Sequence, residues 1–235
     1  MSNENLELWG AVSKTDAAYT KPAQKGQFRI TSIAPVYQFK QATEQWGPYG
    51  GDWGVKVDSE TFHEREIGET ILLNYDAVFY YPGGSFNIHA TERLAYKTNG
   101  ANGYLKIDDE ARKKVVTNAI TKGLSMLGFN ADVFMGMFDD VEYVQSVATE
   151  FAIEKAVDKD AEIQDKRDEL KDYVNRHIES INNSNSENLS AGLYKVSMRH
   201  LDRQKSIPSL SDIAEWGMRK IHSLHEQIKK DNSSE

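Results

Sequence analysis

Basic side chains and aromatic rings alternate along one early stretch of this chain. Lys25, Arg29, Lys40, Trp46, Tyr49, Trp53 and Lys56 all fall within residues 25–56, around the turn-rich run GPYGGDWG. Lysine and arginine neutralise phosphates without reading sequence, and exposed rings stack on unpaired bases. Tyr49, between Pro48 and Gly50, is the ring expected to be exposed; Trp46 and Trp53 serve either stacking or core packing. A second set of cations lies in DDEARKKVVTNAITKGLSMLGF, where Lys114 and Lys122 stand eight residues apart among Thr117, Asn118, Thr121 and Ser125. Small polar groups between lysines suit close approach of a phosphate backbone or a neighbouring subunit.

Other chemistries find less support. Asp76 and Glu92 fall on adjacent expected strands, so a Mg²⁺-dependent nuclease is a third reading after two non-catalytic ones; the competing account is a salt bridge on the solvent face. His63 and His89 also lie on adjacent strands but lack a third ligand. Cysteine is absent, which removes disulfides and thiolate sites. No GxxxxGK[ST] loop occurs, so nothing points to ATP-driven work. No catalytic residue, metal or cofactor is assigned.

The elements that must position these residues follow from periodicity. Residues 10–27 are polar and broken by Pro22 and Gly26, and read as a loop or basic arm. Phe28 to Ile33 is extended, and Tyr37 to Gln45 is a short helix with Pro35 in its first turn and Gly47 at its end. Three strand-like runs come next: Trp53–Phe62, Thr70–Tyr81 and Phe86–Lys97, separated at Glu64–Gly68 and at Pro82-Gly83-Gly84. A helix over 108–128 follows, capped by Asp108 and stopped by Gly128. Its apolar stripe is Val116, Ile120, Gly123, Leu124 and Leu127, widened by Val115 and Ala119. This order predicts an α+β fold: a β-β-β-α core in which a curved antiparallel three-stranded sheet packs on a central helix, with a C-terminal helical appendage. Residues 1–27 are the N-terminal segment and arm, 28–150 the core, and 151–235 the helical region. Its linker by composition is 182–192.

Composition sets the outer limits. The chain has 235 residues, net charge −8, 11 Tyr, 9 Phe and 4 Trp, enough for one sizeable core. No apolar run reaches membrane-spanning length and MSNENLELWG is no secretory signal, so a cytoplasmic protein is expected, without membrane association. An acidic chain is a poor general polyanion binder, yet Lys14, Lys21, Lys25, Arg29 and Lys40 face Asp16 alone over residues 14–40. That distribution suits a groove.

Together ATEQWGPYGGDWG (42–54), the meander and EARKKVVTNAITKGLSMLG (110–128) resemble the Rad-fifty-two-like single-strand annealing proteins, bacteriophage type, over roughly residues 8–145. The resemblance implies single-stranded DNA held in a basic groove of a homo-oligomeric ring or filament. Annealing then proceeds without ATP, in homologous recombination and repair, in the host cell cytoplasm if the chain is phage-encoded. By position it implies that Lys122, Lys40, Lys113 and Lys114 line the groove; where some members have a basic pair, this chain has Thr121-Lys122. Residues 151–235 lie outside the resemblance and are read as an interaction region, for a single-stranded DNA-binding protein or for ring contacts. The runner-up is a DNA-binding or regulatory module of the same fold without annealing activity.

Overall fold

The computed structural model describes residues 4–25, 27–98, 103–184 and 187–232. Contacts gather the chain into two compact units, residues 1–15 with 19–135 and residues 16–18 with 136–235. The fold is mixed α+β, with an antiparallel sheet and eight helices among the described residues.

In the first unit, α1 (Glu7–Val12) precedes a hairpin of β1 (Thr20–Lys25) and β2 (Phe28–Ile33). The expected arm is therefore strand over its second half. Pro22 lacks an N–H for a ladder, but β1 has a single neighbour, so the missing donor falls where an edge strand tolerates it. Helix α2 (Pro35–Trp46) has proline at its start and Gly47 after its end at φ +82°, as its sequence predicts.

The sheet has five strands rather than three. β5 (Thr70–Tyr81) and β6 (Gly84–Lys97) pair over their length, while β7 (Leu105–Ile107) covers only the 95–97 end of β6. The expected first strand is split: β3 (Gly54–Val55) and β4 (Thr61–Ile67) both pair with β5, with a short 3₁₀ turn at Val57–Ser59 between them. The Ser59 hydroxyl donates to Lys56 O and accepts from Val78 N, which holds that turn against β5. Hence β4 runs on to Ile67, and the turn lies at Gly68, with φ +58°.

Helix α3 spans Ala111–Met126 with Glu110 at its cap position, two residues later than a cap at Asp108 would give. The Asp108 carboxylate accepts from Glu110 N and from Lys114 Nζ rather than capping the helix. Ala111, Val115, Ala119, Ile120, Gly123 and Leu124 are buried, and α3 packs on β5 and β6. Gly123 permits that packing, since a Cβ there would lie 3.0 Å from Ile88 Cγ2. Gly128 ends the helix with φ +98°, and a Cβ would meet the Trp9 ring at 2.7 Å. The core beneath includes Trp53, Tyr75, Phe79, Leu124 and Phe129, each fully buried.

The second unit holds α5 (Val141–Lys155), α6 (Lys159–Asn182), α7 (Glu187–Lys205) and α8 (Ser211–Asn232), after the short α4 (Ala131–Phe134) that closes the first. α5 packs against α6 and α7, so this unit begins before residue 151. Helix α7 occupies much of the expected linker, because Leu193 packs on the Leu170, Val174, Leu201 and Ile221 core. Arg167 grips Asp212 with two 2.6 Å hydrogen bonds, tying α6 to the start of α8. No helix among the described residues is long and apolar enough to cross a membrane.

Candidate nucleic-acid interface

The site residues expected from sequence separate into three groups. Trp53 is fully buried, its Nε1 donating to Gly47 O at 2.7 Å, and Trp46 packs between Trp53, Tyr81 and Phe129. Trp53 is core, and Trp46 is partly buried against it. Tyr49 is half exposed, with its ring edge-on to Trp53 at 5.1 Å; partial burial of the phenol pushes its pKa up. It is the most exposed ring of the three.

Several of the expected cations are already engaged. Lys40 pairs with Glu44 at 3.1 Å along α2, Lys113 with Glu110 at 2.6 Å, and Lys114 with Asp108 at 2.6 Å. The hydrogen bond from Lys114 holds the Asp108 carboxyl low and raises the lysine. The hydrogen bond from Lys113 likewise holds the Glu110 carboxyl low. Exposed pairs of this kind stabilise weakly, but they cancel the local field that a phosphate would meet. The side chains of Lys25 and Arg29 lie outside the described residues. Lys56 is exposed ahead of the 3₁₀ turn.

Lys122 differs. It is exposed and makes no ion pair among the described residues. Lys114, Asn118 and Lys122 follow each other at four-residue spacing, so they form one line along α3. Asn118 Nδ2 donates to the Glu92 carboxylate on β6, which fixes this line on the β6 flank of the helix. Beside it the edge of β6 over residues 84–93 pairs with no strand among the described residues, since β7 pairs at 95–97 and Asp108 N donates to Leu94 O. Hydroxyls of Thr117, Thr121 and Ser125 donate back to carbonyls of α3, leaving that surface low and uncharged.

The carboxylate pair considered for metal chemistry does not form. Along β5, Leu73, Tyr75, Ala77 and Phe79 face the helix, and Asp76 faces away. Glu92 is opposite Leu73, on the helix side, whereas Asp76 is opposite His89. One carboxylate therefore lies on each face of the sheet. Asp76 pairs with His63 at 3.2 Å across strands, and Glu92 makes no salt bridge with it. No cluster of three His, Asp or Glu side chains able to hold a metal ion occurs among the described residues.

Arg65, Arg93 and Lys106, none of them assigned to the site from sequence, are exposed on the face of the sheet away from α3. The period-2 alternation of HER and TER pointed to that face; strand register was needed to bring them together. No protein-family model matches this chain, and no curated protein matches it in sequence.

Proposed function

We propose that the protein binds single-stranded DNA and anneals complementary strands without ATP, as a homo-oligomeric ring or filament acting in homologous recombination. The observation that carries the reading is the Lys122 flank of α3. There a cation that makes no ion pair among the described residues sits among short polar groups, beside a stretch of β6 edge that pairs with no described strand. Such a wall approaches a backbone closely and neutralises phosphates without selecting bases. The finer β-β-β-α core description rests on the same strands followed by α3 and on the resemblance of residues 42–54 and 110–128. The helical unit is read as the interaction region, for a single-stranded DNA-binding protein or another copy of the chain.

Engagement of Lys40, Lys113 and Lys114 by carboxylates favours a second reading, a DNA-binding or regulatory module that does not anneal. One assay separates the two. Complementary oligonucleotides are mixed with excess protein at low salt, without ATP or Mg²⁺, and duplex formation is followed by fluorescence quenching. Annealing above the spontaneous rate supports the first reading; binding without acceleration supports the second, and absence of binding removes both.

A further inference from the structure

The face of the sheet opposite α3 carries its own arrangement. Register places Ile67, Thr70, Tyr96 and Lys106 in one row across β4, β5, β6 and β7, and Arg65, Leu72 and Arg93 in the next. His63, Asn74 and Thr91 form the third row, then Thr61, Asp76 and His89. Asp76 is the sole carboxylate in these four rows, and His63 engages it at 3.2 Å.

The three cations of the first two rows make no salt bridge among the described residues, in a chain of net charge −8, although the charge of Lys106 reaches Asp108 and helps hold that carboxyl low. Arg65 and Arg93 flank Leu72 on either side, two strand spacings or about 10 Å apart. Both arginines are exposed, and Leu72 between them is partly buried. Arg93 lies over the Tyr96 ring at 4.8 Å from its centroid, and Lys106 stands 5.9 Å from the same ring. The ring holds the guanidinium flat and limits its rotamers, which lowers the ordering cost when an anion arrives. Like charges on neighbouring strands repel, and an anion bridging them reverses that cost. Planar guanidinium groups suit phosphate oxygens in particular. Asn74 and Thr91, hydrogen-bonded to each other at 2.8 Å, extend the polar surface toward a base or sugar.

We infer that Arg65, Arg93, Lys106 and Tyr96 form a second backbone-binding surface for single-stranded nucleic acid, on the opposite side of the sheet from Lys122. The inference rests on the nucleic-acid reading above but uses different residues, so the two fail separately. The probe is a fluorescent 30-mer oligo(dT), titrated by anisotropy over a salt series, with inorganic polyphosphate of similar charge as a second arm. Each single-strand phosphate contact contributes about 0.7 to the salt slope, so Arg65→Gln/Arg93→Gln flattens it by about 1.4 and weakens binding about 25-fold at 0.1 M salt. Arg65→Lys/Arg93→Lys keeps the slope and loses only a few-fold through lost bidentate contacts. Circular dichroism and the unfolding midpoint confirm that the variants fold. Unchanged affinity and slope in the glutamine variant, with Lys122→Gln still weakening binding, overturns this surface and leaves the helix flank standing. No effect of either set overturns both, and polyphosphate binding as tightly as oligo(dT) overturns the nucleic-acid assignment of this face.

Discussion

Lys122→Gln tests the helix flank most directly, because its neighbours supply an internal control. Lys122 makes no salt bridge among the described residues, whereas Lys113 sits 2.6 Å from Glu110. Neutralising Lys122 removes one full charge from the flank. Replacing Glu110 and Lys113 together, as Glu110→Gln/Lys113→Gln, removes a pair whose net charge is zero. If a phosphate is held by Lys122, its loss removes about 0.7 from the salt slope, or about fivefold in affinity at 0.1 M salt and roughly 1 kcal/mol. The paired variant changes affinity by less than about twofold, since exposed pairs contribute little and the local field is unaltered. The assay is anisotropy of labelled oligo(dT) between about 50 and 200 mM salt, the range over which backbone contacts are lost. Equal losses from the two variants, or a slope unchanged by Lys122→Gln, would refute the reasoning that free charge on this flank holds DNA.

Two predictions concern the scaffold. Trp53→Ala removes a fully buried ring that touches Phe39, Trp46, Tyr49 and Phe79, and should cost about 3–5 kcal/mol, seen as a lowered urea midpoint of the first unit. A base-stacking tryptophan would instead lose DNA affinity with the midpoint kept. In the helical unit, the Arg167 guanidinium holds the Asp212 carboxyl at about 2, below its ordinary value. A depressed carboxylate pKa means stability is present above the unfolded value near 3.9 and is lost as pH falls toward about 2. Asp212→Asn should therefore lower stability at pH 7 and flatten its acid dependence, measured by thermal melts from pH 7 down to pH 2. An unchanged acid limb in the variant would show that other carboxylates set it.

Much of the local structure was legible because it depends on neighbours in sequence. The 3.6-residue stripe of Val115, Ala119, Ile120 and Leu124 marked α3, Gly128 marked its end, and Pro35 and Gly47 bracketed α2. Alternation marked β5 and β6. What failed depended on contacts remote in sequence. Thr20–Lys25 looked like an arm because Pro22 and small polar residues carry no strand signal; pairing with β2 makes it a strand. Residues 187–192 looked like a linker because their composition is polar; they are the first turns of α7, whose Leu193, Tyr194 and Leu201 pack on the helical core.

The site follows the same division. Sequence by itself determined which cations and aromatics lie near one another along the chain, and that α3 has one apolar and one small polar face. Tertiary structure alone decided which of those groups remain available. Burial took Trp53 into the core and packed Trp46 against it, carboxylates one turn away or across a loop took Lys40, Lys113 and Lys114, and Lys122 was left without a salt bridge among the described residues. Strand register, which no single strand encodes, put Asp76 and Glu92 on opposite faces and drew Arg65, Arg93 and Lys106 onto one. Side chains alternate with a period of two, so a strand's own residues fix which of them share a face, while the pairing of strands fixes what stands beside them.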